Sequence, residues 1–243
     1  MIGGSLLPIG DDDTGVRRPH IVVVLLLLLN VGVFIYQLTL SQLELTRFVY
    51  AWGVVPAEIS RLEDLPPLID YPVLVTLVTS MFLHGGFLHI AGNMLFLWIF
   101  GDNIEDAMGH LRFLIFYLLC GVAGGLAQVM VDRDSLVPMI GASGAISGVM
   151  GAYLVLFPRG MIRVATLFVF IPVIFRVPAV IVIGFWFVVQ ALSGYASLGM
   201  SQQVEGGTAF FAHIGGFIAG LFLVWFFADR RAVRYQNARR RGW

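Results

Sequence analysis

The chain has 243 residues, of which 58% are hydrophobic and only 12% are charged. Soluble proteins carry roughly 25% charged residues to cover their cores, so this composition excludes a soluble protein and indicates an integral membrane protein. All 15 basic residues are arginines that balance 15 acidic residues, and no basic groove with interleaved aromatic residues occurs, which excludes nucleic acid as a partner. The single cysteine, Cys120, excludes an internal disulfide and a cysteine-based metal site.

Six intervals free of Asp, Glu and Arg are long enough to contain the roughly 20 apolar residues of a membrane-crossing helix. These intervals are 19–43, 71–101, 113–131, 135–158, 177–204 and 206–228. We therefore predict an all-α membrane protein with a bundle of six transmembrane helices. A shorter apolar segment, 164–175, contains Pro172 and is interpreted as an interfacial lead into the fifth helix, with a seventh span as the alternative.

The first interval follows Arg17 and Arg18, as in a signal peptide, but it continues past Tyr36 without an Ala-x-Ala-like cleavage site. We interpret it as a retained signal anchor. The acidic run 11–13 argues against a mitochondrial or chloroplast transit peptide. We therefore expect a multi-pass protein of a prokaryotic plasma (inner) membrane.

Arginine placement predicts the orientation, because arginine-rich loops stay in the cytoplasm. Most arginines fall on the side of the two termini, and acidic loops fall on the other side, so both termini are predicted to be cytoplasmic. We divide the chain into a short cytoplasmic tail (1–18), a membrane domain (19–228) and a basic cytoplasmic tail (229–243). The long outer loop 41–72 contains Trp52 and several prolines, which indicates an ordered, partly interfacial structure.

Polar residues inside membrane spans are energetically costly and therefore point to function. His89 and Asn93 lie four residues apart in the second span and share one helix face. Ser143 opens the fourth span, and His213 lies early in the sixth. Because the even-numbered spans all run from outside to inside, these four residues are predicted to lie at similar depth in the outer half of the membrane.

Small residues at four-residue spacing allow the fourth and sixth spans to approach closely. The two stripes are Gly144, Gly148 and Ala152 on the fourth span, and Ala212, Gly216 and Gly220 on the sixth. Close approach would bring His213 within hydrogen-bond reach of Ser143 and allow it to act as general base for the serine.

The position of Ser143 predicts a recessed site that admits water. The 14 residues 144–157 make about 21 Å of helix against a hydrocarbon core of about 30 Å. Ser143 would then lie on the order of 10 Å below the outer face, in a cavity open to the outside. A serine at a helix N-terminus directs free backbone N–H groups at a developing oxyanion, to which His89 and Asn93 would add further donors.

Other interpretations of these residues remain open from the sequence. A membrane Gly-x-Ser-Gly motif is by itself more typical of helix packing, and His84 is interpreted as structural. Glu105 and Arg112 are interpreted as partners that order a loop. A zinc site is disfavoured because no acidic base and no His-Glu-x-x-His motif occur. A Ser-His-Asp triad is disfavoured because the spans of Ser143 and His213 contain no carboxylate.

At these residues the chain resembles the rhomboid family of intramembrane serine proteases. The matching motifs are His84 with His89-x-x-x-Asn93, Gly141-x-Ser143-Gly144, and Ala212-His213-x-x-Gly216-x-x-x-Gly220, together with segment 101–117. The resemblance covers roughly residues 20–228, the six-helix core, and implies a rhomboid-like bundle with a long membrane-associated first outer loop.

The resemblance also implies the roles of the site residues. Ser143 would be the nucleophile, His213 the general base, and His89, Asn93 and the Ser143 backbone N–H the oxyanion hole. The family cleaves transmembrane segments of other proteins and favours small residues at the cut. Loop 41–72 would match its membrane-embedded first loop, and the fifth helix with loop 195–207 would match its substrate gate and cap.

One residue departs from the family pattern. Many members carry an aromatic residue four positions after the nucleophile, where its ring packs against the catalytic histidine, and here that position is Ser147. Imidazole support must then come from elsewhere, with Phe210 or Phe211 as candidates. Ser147 is also a second candidate nucleophile, but it lies one turn deeper and lacks the Gly-x-Ser-Gly context, so we prefer Ser143.

These features together predict an intramembrane serine endopeptidase that needs no metal and no cofactor. Its expected partners are transmembrane protein substrates and the lipid bilayer, and its oligomeric state stays open. One alternative is a non-catalytic rhomboid-like protein that binds and escorts membrane clients, although such proteins typically lack the serine or the histidine. A small transporter or channel is disfavoured because the spans lack the carboxylate of a proton or cation relay.

Overall fold

The computed structural model of this chain describes residues 7–66, 68–168, 171–197 and 209–240. Most of them are helical. The helices are α1 (Ile21–Thr39), α2 (Gln42–Trp52), α3 (Pro56–Arg61), α4 (Thr76–Thr79), α5 (Phe87–Met108), α6 (His110–Val131), α7 (Ser143–Leu156), α8 (Ala179–Ser197), α9 (Phe210–Phe227) and α10 (Arg230–Arg240). The strands are β1 (Leu7–Gly10), β2 (Met161–Phe168) and β3 (Ile171–Pro178), and 3-10 turns at Val73–Val75 and Ser80–Phe82 flank α4.

The predicted fold class, an all-α membrane protein, is confirmed. Helices α1, α5, α6, α8 and α9 are each long and apolar enough to cross a membrane. The fourth predicted interval, 135–158, contains the shorter helix α7 of 14 residues, which is about 21 Å long. This helix begins at Ser143, so the residues before it form an irregular entry rather than a first helical turn.

The second interval differs from its predicted bounds. Residues 73–82 form short helical turns, and α5 begins only at Phe87 and continues past Gly101 to Met108. Its last turns carry buried acidic residues, of which Glu105 is fully buried. This carboxylate accepts hydrogen bonds from the backbone N–H groups of Val22 (2.9 Å) and Val23 (2.8 Å), which lack intrahelical partners at the start of α1. Helix α5 can therefore extend beyond the uncharged interval, because the Glu105 carboxylate has hydrogen-bond partners inside the protein.

The predicted loop-ordering partnership of Glu105 with Arg112 is wrong. Glu105 binds the N-terminus of α1 and lies 2.5 Å from Nδ1 of His110, whereas Arg112 is exposed. The reason is geometric: the positive end of the α1 dipole presents free N–H donors to this carboxylate.

We expect Glu105→Ala to destabilise the protein by about 2–4 kcal/mol, because the backbone N–H groups of Val22 and Val23 lose their acceptor. Glu105→Gln retains one carbonyl oxygen and should lose less. The measurement is thermal unfolding in detergent. The control is Glu44→Ala, which removes an exposed capping-box carboxylate and should cost about 1 kcal/mol or less. Equal Tm values for Glu105→Ala and the wild type would contradict this role.

The outer loop 41–72 is ordered, as predicted. It contains α2 and α3, and the Trp52 ring stacks on Tyr71 at 4.8 Å between centroids. Val54 and Met139 exchange two backbone hydrogen bonds of 3.0 and 2.7 Å, which join the loop to the connection before α7. Pro67 lies outside the described residues. The loop thereby braces the entry to the helix that begins at Ser143.

Segment 164–175 leads into the fifth membrane helix, α8, as predicted, but as strands and not as a seventh helical span, and its interfacial position stays a prediction. Its described residues, 164–168 and 171–175, belong to the antiparallel strands β2 and β3, and β1 from the N-terminal segment extends them into a sheet of order β1-β2-β3. β-Branched residues favour strands, and this segment is rich in them: Val164, Thr166, Val173 and Ile174. Pairing across the hairpin satisfies the backbone groups of a segment too short to span.

The N-terminal segment is attached to the helix bundle by a buried carboxyl group. Asp11 accepts hydrogen bonds from the Tyr153 hydroxyl (2.6 Å) and the Asn103 amide (2.8 Å). Burial and the neighbouring Asp102 carboxylate raise the pKa of Asp11 to about 9. Both influences favour the protonated form of Asp11, which lowers the cost of its burial, and Nη2 of Arg240 lies 4.0 Å from the same carboxyl group.

The C-terminal segment also packs on the bundle. Gln236 of α10 is fully buried, and its amide donates to the Asp106 carboxylate at 2.7 Å. The described parts of both flanking segments, 7–18 and 229–240, therefore pack on the helices, and the boundaries drawn from the sequence, 1–18, 19–228 and 229–243, stay a prediction. The interactions that join them depend on residues far apart in the chain, which local composition does not reveal.

Candidate active site

Helices α7 and α9 approach each other through glycine. A Cβ atom added at Gly216 would overlap the carbonyl oxygen of Gly144, and one added at Gly220 would overlap that of Gly148. Helix α6 joins the contact through Gly124, where an added Cβ atom would lie 3.4 Å from Cα of Gly144. The three helices thus meet almost backbone to backbone, the arrangement that small-residue stripes permit in membranes.

This close approach brings the predicted serine and histidine together. Ser143 is the first residue of α7, and His213 lies in the first turn of α9. Nε2 of His213 lies 2.7 Å from Oγ of Ser143, which is hydrogen-bond distance. His213 is buried and Ser143 is half-buried, so a hydrogen-bonded pair lies in a sheltered position at the end of two helices.

The other side of the imidazole contacts α8. Nδ1 of His213 lies 2.7 Å from Oε1 of Gln190, and the Trp186 ring lies 6.0 Å from the imidazole between centroids, tilted by 40°. The candidates named from the sequence, Phe210 and Phe211, lie instead beside Gly194 of α8. Ring support in this protein therefore comes from α8, which compensates for the aromatic residue missing four positions after Ser143.

The Ser147 hydroxyl bonds to its own helix. It donates to the backbone carbonyl of Ser143 at 2.6 Å, and the residue is only 1% exposed. A serine that bonds to the preceding helical turn is satisfied locally. This geometry favours Ser143 over Ser147 as the reactive hydroxyl.

Two side-chain donors converge near Ser143. Both lie beside Gly141, two residues before Ser143: a Cβ atom added to this glycine would be 2.7 Å from Nε2 of His89 and 3.7 Å from Nδ2 of Asn93. The φ of Gly141, +124°, also favours glycine at this position. The backbone N–H of Gly85 donates to Nδ1 of His89 at 3.3 Å, so a neutral His89 carries its proton on Nε2. Nδ2 of Asn93 is buried and has no hydrogen-bond partner within the described ranges. Both donors are thus free to bind an oxygen atom.

A family model described as the rhomboid domain matches residues 72–230, which include Ser143, His213, His89 and Asn93. The chain belongs to the rhomboid family. It is 32% identical over 170 residues to "Rhomboid protein 1, mitochondrial" of Saccharomyces cerevisiae, an alignment that covers 68% of this chain and 45% of that protein. It is 36% identical over 148 residues to "Rhomboid protease GluP" of Bacillus subtilis, covering 60% of this chain and 24% of that protein.

A plant relative extends the same similarity. The chain is 26% identical over 162 residues to "Rhomboid-like protein 11, chloroplastic" of Arabidopsis thaliana, covering 64% of this chain and 53% of that protein. In these alignments the chain spans about half the length of its rhomboid relatives or less. The similarity therefore describes the shared membrane core.

His84 has a structural place in this rhomboid core. Gln37 of α1 is buried, and its amide bonds both backbone groups of His84: it donates to the carbonyl (3.2 Å) and accepts from the N–H (3.0 Å). The His84 ring then packs edge-on against the His89 ring, with centroids 5.1 Å apart. The loop before α5 is thereby fixed, and with it the position of His89.

Two other features of the rhomboid core lie apart from the Ser143–His213 pair. An open cleft of about 450 Å³ on the outer loop is lined by residues such as Tyr50, Val55 and Leu136 and contains neither residue of the pair. Carboxylates of Asp11, Asp13 and Asp102 lie within 4.8 Å of one another beside the sheet. The carboxylates have the spacing of cation ligands, but they lie far along the bundle from the N-terminus of α7.

Sequence reasoning missed Gln190 and Gln37. Each is a polar residue within a predicted span, the same signal that singled out the histidines. Gln190 also follows Trp186 by four residues, so the two share a helix face. An inventory of every amide within the spans, and not only of groups that can ionise or act as nucleophiles, would have included both residues.

Proposed function

We propose that this protein is an intramembrane serine endopeptidase that uses Ser143 and His213 to cleave transmembrane segments of other membrane proteins in the outer half of the bilayer. The observation that carries the proposal is the 2.7 Å contact between Ser143 Oγ and His213 Nε2, in a chain of the rhomboid family. Similarity to a protein named a rhomboid protease supports the same reaction class.

In the proposed acylation step, Oγ of Ser143 attacks the scissile carbonyl carbon while Nε2 of His213 takes the hydroxyl proton. A tetrahedral intermediate forms, and its oxyanion accepts hydrogen bonds from Nε2–H of His89, Nδ2–H of Asn93 and the backbone N–H of Ser143. The imidazolium then donates its proton to the leaving amine. The C–N bond breaks, and an ester links the substrate's acyl group to Ser143.

Deacylation reverses the roles with water as the nucleophile. His213 removes a proton from water, the resulting hydroxide attacks the ester carbon, and the proton returns to Oγ of Ser143 as the carboxylic acid product leaves. The exposed polar surface of His89 and Gly85 beside the site supports entry of this water from the outer side. No step needs a metal ion or a cofactor.

The space beside the nucleophile supports a preference for small side chains at the cut. A cavity of about 20 Å³ borders Ser143 and is lined largely by small residues, among them Gly121, Gly125, Gly144 and Ala145. This volume is close to that of one water-sized probe. An alanine or glycine side chain of the substrate would fit with little displacement, and a large aromatic side chain would not.

The proposal is tested with purified protein in liposomes that contain a transmembrane substrate with an alanine at the cut. The wild type should cleave it and react with a fluorophosphonate, whose phosphorus bonds Oγ of Ser143 as fluoride leaves. His213→Ala should lose both activities and still fold with a cooperative unfolding transition, since the general base accounts for roughly 10²–10⁴-fold of the rate and the glycine contacts between α7 and α9 are retained. Full cleavage by His213→Ala would exclude the dyad.

We expect His89→Ala and Asn93→Ala each to lower kcat by about 10²–10³-fold, because each removes one donor to the oxyanion. The matched control is Asn30→Ala, which removes another buried asparagine whose amide donates to Leu26 O within α1 and should leave kcat within about 3-fold of the wild type. Initial rates of cleavage measure the effect. Wild-type kcat in Asn93→Ala would refute its place in the oxyanion hole.

We also infer that the membrane is a prokaryotic plasma membrane with both termini in the cytoplasm. The arginines of α10 that are exposed, Arg230, Arg231, Arg234 and Arg239, support a cytoplasmic position by the positive-inside rule. The named relatives occur in mitochondria, chloroplasts and bacteria. A C-terminal reporter that is active only in the cytoplasm should be active in cells expressing the fusion, and an inactive reporter on a stably inserted fusion would overturn the orientation.

A further inference from the structure

Gln190 is the polar contact of His213 on the side opposite Ser143. It is half-buried on α8, and its Oε1 atom lies 2.7 Å from Nδ1 of the imidazole. Trp186, one turn earlier on the same helix, places its ring near the imidazole. Phe187 holds α8 against α9 by stacking on Phe217, with centroids 4.5 Å apart. These aromatic contacts hold the turn of α8 before Gln190 against α9, which keeps the amide beside His213.

The chemistry of this contact selects one tautomer of the histidine. An amide oxygen only accepts hydrogen bonds, so Nδ1 of His213 must donate to it. A neutral imidazole carries a single N–H, so Nε2 then has a free lone pair, and this atom faces Ser143 Oγ at 2.7 Å. The opposite tautomer would place a proton on Nε2 and prevent it from acting as a base.

A neutral amide suits this position. A carboxylate would have to lose its hydration shell here, and the described surroundings of His213 supply no cation to compensate it. The amide dipole still points its negative end at Nδ1–H and stabilises the imidazolium that forms when Ser143 loses its proton.

We propose that Gln190 is the positioning residue of the dyad, which fixes the orientation and tautomer of His213 from α8. This inference rests on the proposed protease function and adds a third component to the site. Gln190 acts through His213 and does not itself touch the reacting atoms.

The first test compares Gln190→Leu with the wild type in the liposome assay. Loss of the acceptor should lower kcat by about 10- to 100-fold, the usual cost of removing a partner that orients a histidine, and leave KM unchanged. Fluorophosphonate labelling should slow by the same factor. The matched control is Gln128→Leu, which removes an α6 amide whose oxygen accepts a hydrogen bond from Phe211 N at 3.2 Å. This variant should have a lower Tm and an unchanged pH profile of kcat.

The second test uses Gln190→Glu, which can accept from Nδ1 and adds a negative charge. The titratable group facing His213 from α5 is His89, while α7 and α8 present Ser143, Gln190 and Trp186. Because His89 is the same in every variant, a shift between variants reports His213 together with the side chain at position 190. The carboxylate favours the imidazolium, so the acid limb of the kcat profile should move to higher pH, with kcat at high pH restored to within about 10-fold of the wild type.

Two results would overturn the inference. One is wild-type kcat and labelling rate in Gln190→Leu. The other is equal loss of activity and Tm in Gln190→Leu and Gln190→Glu with no displacement of the acid limb, which is the signature of a purely structural residue. The proposed function fails separately: if Ser143→Ala still cleaves, the protease mechanism is wrong, whereas an inactive Ser143→Ala beside a fully active Gln190→Leu removes only the role of Gln190.

Discussion

Ser143→Ala is expected to lower the rate of substrate cleavage by about 10⁴-fold or more and to abolish fluorophosphonate labelling. The substitution removes the only hydroxyl that the structure places at hydrogen-bond distance from His213 within the described residues. His213 then has no proton to take and the acyl intermediate cannot form. Loss of one small hydroxyl at a half-buried position should leave Tm nearly unchanged. Cleavage in liposomes, labelling and thermal unfolding on the same preparation measure these three effects.

Ser147→Ala is the matched control, since it removes a serine hydroxyl one turn away on the same helix. Its Oγ donates to the Ser143 carbonyl, so its loss should change stability slightly and leave labelling at Ser143 intact. The opposite pattern, with cleavage retained in Ser143→Ala and lost in Ser147→Ala, would assign the nucleophile to Ser147. Peptide mapping of the labelled protein identifies the modified serine directly.

Gly216→Val and Gly220→Val are expected to separate α7 from α9 and thereby to lower both the Tm of the protein and the kcat of substrate cleavage. Even a single Cβ atom at either position would overlap a backbone carbonyl of α7, and backbone cannot move aside as a flexible side chain can. Overpacking of a tight interior costs about 1–3 kcal/mol, and a backbone obstacle places these variants at the upper end of that range. A misplacement on the order of 1 Å between Ser143 and His213 would lower the rate about 10²-fold.

The control for this prediction is Gly32→Ala on α1. A Cβ atom there meets nothing within 4 Å, and alanine favours a helix over glycine by about 1 kcal/mol, so this variant should be as stable as the wild type or more stable. Tm and kcat should fall together in the Gly216 and Gly220 variants. Wild-type kcat in Gly216→Val would show that the distance between α7 and α9 does not control the dyad.

The membrane character and the helical fold class could be predicted because a bilayer imposes a strong constraint on sequence. Backbone groups in hydrocarbon must be satisfied within a helix, so spans appear as long uncharged intervals. The same constraint makes polar residues inside the spans rare and therefore visible, which is how Ser143, His213, His89 and Asn93 were selected. Their common depth followed from counting spans, without knowledge of any contact.

Features that depend on pairing between distant residues were not predictable in this way. Glu105 belongs to α5 because its carboxylate meets the N–H groups of Val22 and Val23. The described residues of segment 164–175 form strands because β2 pairs with β3 and with the N-terminal segment. Asp11 and Gln236 bury polar groups against helices far along the chain. In each case local composition leaves the partner unspecified.

The sequence by itself determined that this is a helical membrane protein of low charge whose few polar interior residues include a serine and histidines at one depth. The tertiary structure decided which of these residues meet and what surrounds them. Glycine contacts between α7 and α9 bring Ser143 to His213. Gln190 of α8 contacts the His213 ring, in a chain that has Ser147 and not an aromatic residue four positions after Ser143. The physical reason is that burial in a bilayer restricts residue types along the chain, whereas a hydrogen bond between helices depends on their packing geometry.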